Sequence, residues 1–512
     1  MPDWTYHPLR GIAAALLGER RSQRAALRAL AAVASLPGGG RLIVKAAGHR
    51  SPPPGLAGSV DGAAVTVRLG AVVPPDVARD AVRALPPLGA GLIEIAPVGP
   101  ADVPAVCEAA AGRRVPVVIR AEGPDAPEVV EALSPHVDAV RTGPDSCAVQ
   151  ATSVADAAAA LADTESVVLA TPAVLKQAGP GWFTRVAEAA THTHPPAAGL
   201  GEVGRDPRRW PAWWWGVLVG AGMICAGIGA AAITLGPVLL WYDRDYLGMS
   251  TEQLHAANHH LVHFLQHDRI TMAGTMVTIG ILYVALSAGG MRRGWPWARE
   301  AYLVSGWIAF PPLFYFLGFG FLEPLHTAVT LVLFPVFLLA TRRKGVGRPR
   351  WTLLPEGPER ERRRALAGQL LLIFTGSGIF IGGAAVSVVG LTSVFVPPDL
   401  VFLHTGPEAL HTANPRLMSF IAHDRAGLGG ALMATAGAVV LLTAWGWRRG
   451  ESWVWWTLLL CAVTGFLPAI VVHGAIGYTD FLHLAPVYLG VLLTATALAL
   501  GRAYLCAPRA VR

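Results

Sequence analysis

The sequence predicts two folds in one chain: an α/β soluble domain, an incomplete or shortened β/α barrel, followed by an all-α polytopic membrane domain of eight spans. Three observations carry this. Up to residue 209 the 512-residue chain mixes charged and apolar residues, and short apolar runs alternate with Ala-rich helical stretches. From 210 to 505 it consists of long apolar runs cut by short basic loops. Within this apolar half a single motif occurs twice. Leu254-His255-Ala256-Ala257-Asn258 leads into Phe264-Leu265-Gln266-His267-Asp268-Arg269, and Leu410-His411-Thr412-Ala413-Asn414 leads into Phe420-Ile421-Ala422-His423-Asp424-Arg425. The offset is a constant 156 residues (255 to 411, 258 to 414, 267 to 423), which reads as a four-helix unit duplicated in tandem.

Composition narrows the function classes. Hydrophobic residues make up 53% and charged residues 15%, with a mean hydropathy of +0.46, far from a soluble enzyme of this length. The net charge of +7 lies mostly in loop arginines. It therefore points to membrane topology, with the lipid bilayer as partner, and not to nucleic acid. Five scattered cysteines without a C-x-x-C pair indicate neither a disulfide framework nor a thiolate zinc site. Residues 1–40 carry Arg and Glu where a signal peptide needs an apolar core.

Residues 1–40 read as amphipathic helices, over 8–18 and 22–35, with Leu9, Ile12, Leu16, then Leu27, Leu30 and Val33 on their apolar faces. Residues 41–192 form the β/α domain. Strands are expected at 64–69, 92–96, 115–120, 139–142 and 166–170, and helices at 76–85, 101–111, 126–133 and 154–161. That makes about five β/α units on a parallel sheet, where a closed barrel needs eight in roughly 250 residues. Residues 193–215 are a linker, 216–345 the first membrane repeat, 346–367 a basic loop and 368–505 the second repeat.

Several segments of the soluble domain resemble one known family. Trp4-Thr5-Tyr6-His7-Pro8-Leu9, Val60-Asp61-Gly62, Leu88-Gly89-Ala90-Gly91-Leu92-Ile93-Glu94-Ile95-Ala96-Pro97-Val98, Pro116-Val117-Val118-Ile119-Arg120 and Val168-Leu169-Ala170-Thr171-Pro172 are similar, in that order, to stretches of the membrane-associated class 2 dihydroorotate dehydrogenases. The resemblance implies a flavin-binding barrel linked to quinone. The departures are large. The family's Asp-Lys-Asn-Gly turn reads Val73-Pro74-Pro75-Asp76 here, and the loop with the catalytic Ser, the Asn-Thr-Thr loop and both phosphate-cradling Gly turns are missing. By the resemblance, Arg120 and Thr171 are vestiges of flavin contacts. Pro172 replaces a Gly whose backbone N–H the phosphate needs, and Pro has none. FMN is not expected and the barrel reads as catalytically lapsed, with an active quinone-linked dihydroorotate dehydrogenase as the rival.

The eight spans are drawn at about 216–241, 270–289, 301–321, 326–341, 368–396, 427–446, 453–473 and 483–501. Basic loops (Arg205 to Arg209, Arg292 to Arg299, Arg342 to Arg364, Arg448-Arg449, Arg502) then fall on one side. This places both termini in the cytoplasm of a cell whose plasma membrane holds the chain, with Trp213, Trp214, Trp297 and Trp453 among the interfacial anchors. The copies match further: Asp243 with Asp399, Arg292-Arg293-Gly294 with Arg448-Arg449-Gly450, and Glu323-x-x-His326 with Asp480-x-x-His483 at an offset of 157. Four spans per copy make the copies parallel, with the twin His motifs on the face opposite the basic loops.

The candidate membrane site residues are His255, His267, Asp268, Arg269, Glu323 and His326, with His411, His423, Asp424, Arg425, Asp480 and His483 as their duplicates. A His-Asp-Arg triplet at membrane depth marks an interface cluster, a helix-packing device, or a functional site for metal, haem or a quinone headgroup. The functional reading groups His267, Asp268 and Arg269 with His326 of the same copy. His255, His259, His263 and His267 recur every four residues and suggest a metal stripe, but Pro415 and Ser419 interrupt it in the second copy. A transporter or structural membrane protein is the third class.

Overall fold

The computed structural model describes residues 3–47, 54–143, 148–151, 153–163, 166–191, 199, 201, 203–310, 321, 323–342 and 357–508. Two compact units emerge. One comprises residues 1–194 with 351–367 and 508–512; the other comprises 195–350 with 368–507.

The first unit opens with helices Asp3–Leu17, Glu19–Ser35 and Gly39–Ala47. A short antiparallel hairpin, β1 (Gly58–Val60) and β2 (Ala63–Val65), precedes a six-stranded all-parallel sheet. Its strands are β3 (Leu69–Val73), β4 (Leu92–Val98), β5 (Val117–Ala121), β6 (Ala139–Thr142), β7 (Ala148–Ala151) and β8 (Val167–Ala170), in the order β6-β5-β4-β3-β8-β7. The first strand, β3, pairs with the last, β8, through Leu69 and Val168. A β/α ring opened between β6 and β7 has this order.

The sheet buries apolar side chains on both faces, as a covered parallel sheet requires, and one face also carries the charged residues Glu94, Arg120 and Arg141. Leu69, Ala71, Ile93, Ile95, Val117, Ile119 and Val168 pack under Ala78, Val82, Val106, Val129 and Trp182 of the helices. Val72, Leu92, Ala96, Val118 and Leu169 face the other way, against Val60 and Val65 of the hairpin. The hairpin corrects the expected first strand at 64–69. Asp61 and Gly62 take positive φ (48° and 86°), so the chain reverses there and the sheet strand starts only at Leu69. The strand Ala148–Ala151 and the helices Gly39–Ala47, Pro172–Ala178 and Trp182–Ala190 were not expected.

The second unit is a membrane domain. Among the described residues, seven helices are long and apolar enough to cross a bilayer: Ala212–Leu235, His259–Arg293, Pro324–Thr341, Glu359–Leu391, Arg416–Gly446, Ser452–Ile476 and Phe481–Leu505. The stretch expected at 301–321 is the 14-residue helix Pro296–Ala309, and residues 311–320 lie outside the described residues. So do residues 346–356, half of the basic loop.

Glycine lets the helices meet at backbone distance. A Cβ on Gly220 would lie 2.7 Å from the Gly280 carbonyl oxygen and one on Gly280 2.5 Å from that of Gly220; Gly383 and Gly429 show the same reciprocity at 2.8 and 2.5 Å. Other contacts cross between the copies. Ser305 donates to the Ala434 carbonyl at 2.9 Å, and Cys461 to the Thr278 carbonyl at 3.9 Å, each partner standing 156 residues from its counterpart.

The two ends of the bundle differ. At one, Arg293 pairs with Glu451 at 2.5 Å, Trp297 stacks on Trp453, and Arg448 lies over Trp295 at 4.2 Å. At the other, the short helices Trp241–Leu247, Thr251–Ala257, Pro397–Leu403 and Pro407–Ala413 form a lid. Leu247, Leu254, Leu403 and Leu410 of this lid pack on Phe264, Phe420 and Ile421. The lid covers the His-Asp-Arg motifs, which sit two turns inside their helices.

Candidate metal centre

Each motif helix begins on a capping asparagine. Asn258 Oδ1 accepts the backbone N–H groups of His260 (2.8 Å) and Leu261 (3.1 Å), and Asn414 Oδ1 that of Arg416 (2.9 Å). Each Asn also spends its amide on the other copy's lid: Asn258 donates to the Leu403 carbonyl at 2.9 Å, Asn414 to the Leu247 carbonyl at 2.7 Å. The caps thus set both the start of each helix and its register against the other copy.

Two turns further in, the charged residues exchange partners. Arg269 Nε donates to Asp424 at 2.7 Å and Arg425 Nε to Asp268 at 3.1 Å. Arg269 also donates to the Val238 carbonyl (2.7 Å) and Arg425 to that of Val394 (2.9 Å). Asp243 and Asp399 complete the set, 3.7 Å from Arg269 and 2.6 Å from Arg425. Each guanidinium lies over an aromatic ring of the other copy, Phe420 or Phe264, at 5.0 and 4.8 Å. All six charged residues are buried. Four carboxylates face two guanidiniums, so this framework is short of positive charge. Burial raises the Asp243 carboxyl to about 6, against the pull of Arg269.

Around this framework stand two groups of ligand-bearing side chains. In the first, His267, His473 and His483 each bring a ring nitrogen to within 4.8 Å of the others; in the second, Glu323, His326 and His423 do the same. The first joins the second span of one copy, through His267, to the last two spans of the other, through His473 and His483; the second joins the second span of the other copy, through His423, to the start of the Pro324–Thr341 helix. The expected grouping of His267 with His326 is therefore corrected. His267 meets His483, and His326 meets His423 at a ring separation of 5.9 Å.

The tautomers suit metal binding. His473 Nδ1 donates to the Ala469 carbonyl at 2.6 Å, which leaves Nε2 as the lone-pair nitrogen, and this atom is buried with no hydrogen-bond partner among the described residues. His423 Nδ1 bonds Asp424 at 3.0 Å, and His267 Nδ1 lies 2.9 Å from Asp268. A carboxylate behind an imidazole orients a metal-ligating ring and raises its basicity. In the second group, Glu323 Oε2 lies 3.7 Å from His326 Nδ1 and 4.0 Å from His423 Nε2, and its Oε1 accepts the Tyr242 hydroxyl at 3.1 Å. The three-imidazole set suits zinc or copper. Two His and one carboxylate suit iron(II), which keeps open positions in such sites.

Several expected residues play other roles. Asp480 is exposed and caps its helix, accepting the His483 backbone N–H at 2.7 Å; it does not join the group, unlike its counterpart Glu323. His411 is exposed and outside both groups. His255, also outside, lies 2.8 Å from His259 at the surface, so the stripe holds together only at its outer end. His473 was missed. It has no duplicate and sits in an otherwise apolar helix, so no spacing pattern marks it.

In the first unit, Arg120 Nε is 3.1 Å from Glu94, and the same guanidinium pairs with Glu122. Glu94 is fully buried and also faces Arg141, which reaches Asp61 of the hairpin at 2.8 Å. Thr171 caps the Pro172–Ala178 helix by accepting the Val174 N–H at 3.3 Å. Both residues the resemblance singled out are thus engaged within the protein. No family model, no curated protein and no solved structure matches the chain.

Proposed function

We propose that this is a plasma-membrane metalloprotein. Its eight-span, tandemly duplicated bundle holds two transition-metal sites at the face away from the cytoplasm, for a redox or ion-handling task. The observation that carries the reading is His473: a buried imidazole with its tautomer set by a backbone carbonyl, its other nitrogen buried without a hydrogen-bond partner among the described residues, and two further imidazoles beside it. The unbalanced carboxylates support it, since a buried excess of negative charge calls for a cation. Haem fits less well than a single ion, because the His267 and His473 rings are only 4.3 Å apart and leave no slot for a macrocycle. The matched contacts at an offset of 156 support parallel copies related by an axis along the membrane normal. The basic loops support cytoplasmic termini.

The soluble domain, in this reading, is a lapsed member of the dihydroorotate dehydrogenase lineage serving as scaffold or regulator. The ion pairs on Arg120 and the proline at 172 support the loss of flavin chemistry. Metal analysis and an absorbance spectrum of purified full-length protein test the whole proposal. Bound zinc, copper or iron without a flavin or Soret band is expected. A yellow, FMN-bearing preparation would replace it with the dehydrogenase, and protein that neither carries nor takes up metal would leave a transporter or structural role.

A further inference from the structure

A small cavity of about 70 Å³ lies inside the bundle, lined by Met223, Met272, Met276, Ile279, His326 and Thr330 among others. His326 thus borders two things at once, the Glu323–His326–His423 group and this cavity. A space of this size takes a few water-sized molecules. Its wall is mostly apolar. The Thr330 hydroxyl is spent on the His326 carbonyl at 2.8 Å, and that of Tyr283, another wall residue, on Ser305 at 3.0 Å. Thioether and aliphatic groups make up most of the remaining wall. Mostly apolar cavities of this kind admit xenon or small hydrocarbons.

We infer that this cavity is a receptor for a small uncharged gas molecule, of the dioxygen or nitric oxide class, placed beside the metal held by Glu323, His326 and His423. The metal-facing half of the inference rests on the reading above; the cavity itself does not. Two His and one carboxylate leave coordination positions open on iron(II), and such sites take diatomic gases. A mostly apolar chamber against one of the ligands raises the local concentration of a lipid-soluble gas. The methionines add a polarizable wall that adapts to a small guest.

Xenon tests the cavity without any metal. Saturable xenon binding to full-length protein in nanodiscs, read by ¹²⁹Xe NMR, is expected to fall at least tenfold in Ala431→Phe, which fills the chamber from its wall. In Met276→Ala, which enlarges the chamber, it is expected to rise severalfold; this second variant decides the matter if the first does not fold. Absence of saturable xenon binding, or binding unchanged in both variants, overturns the inference. In iron(II)-loaded protein, nitric oxide should give the half-integer-spin EPR signal of a non-haem iron nitrosyl, weakened in Ala431→Phe at equal iron content. Normal iron content with a nitrosyl signal indifferent to Ala431→Phe overturns the gas site while leaving the metal reading intact. Failure to take up iron, with xenon still bound, overturns the metal reading and with it the placement of gas beside metal. Cuprous ion uptake that requires Met223, Met272 and Met276, without xenon binding, would make this a thioether metal site and likewise overturn the inference.

Discussion

The two ligand groups share one framework yet differ in what completes them. Both rest on a capped helix, a His-Asp-Arg triplet and an arginine crossing to the other copy. Around His267 the third ligand is His473, which has no counterpart at the equivalent place, and the acid of the closing span, Asp480, turns away to cap its helix. Around His423 the acid of the closing span, Glu323, turns inward and no imidazole equivalent to His473 joins it. The crossed ion pairs, where the two motifs depend on each other, are alike, and the ligand groups, where each stands alone, differ.

The shared framework should give the largest effects when broken. Arg269→Ala leaves Asp424 buried without its guanidinium, and Arg425→Ala does the same to Asp268 and Asp399. Each should lower stability by about 3–5 kcal/mol, read as a large fall in thermal midpoint in detergent, and the two should be similar. A variant with only one of the two arginines dispensable would show that the copies are not mutually braced.

The next effect concerns pH. The Asp243 carboxyl titrates at about 6 in the folded protein against an ordinary value of 3.8. Its raised value means that the folded state holds the proton more tightly than the unfolded state. The associated stability is present below pH 4 and lost as pH rises through 6, roughly 3 kcal/mol in all. The groups facing it are Arg269, Glu323 and Asp424. Asp243→Asn should flatten this region of the stability profile; an unchanged slope between pH 4 and 6 would assign it to another group.

The ligands sharpen the comparison more finely. Glu323→Gln should weaken metal binding at the second site at least tenfold, on the order of 1.4 kcal/mol, with the first site unaffected. Asp480→Ala should leave metal binding at both sites unchanged and cost only about 1 kcal/mol of stability, the loss of a helix cap. Metal titrations of both variants check this, and equal effects from the two acids would erase the distinction drawn between them.

How far the sequence anticipates this depends on the kind of information. The multi-pass membrane character and the His-Asp-Arg residues were legible because long apolar runs and a repeated spacing are local signals; of the eight spans expected, seven are long apolar helices among the described residues. The pairing of His267 with the other copy was not, since an offset of 156 residues identifies equivalent positions and says nothing about which helices touch. His473 was invisible for want of a duplicate. In the first unit, the run at 64–69 looks like a strand by hydropathy alone. The Asp61-Gly62 turn, with both residues at positive φ, moves the strand on to Leu69. Arg120 and Thr171 were chosen by resemblance, which gave positions but not partners; their partners are Glu94, Glu122 and a helix N-terminus.

The central claim is that the bundle holds two independent metal sites assembled across the copies. The most direct measurement is the metal stoichiometry of purified full-length protein and of His473→Ala, His326→Ala and the double variant, by elemental analysis after loading and desalting. The account predicts two ions per chain in the unaltered protein, one in each single variant and none in the double. Metal-free protein, or a stoichiometry that neither substitution alters, would contradict it.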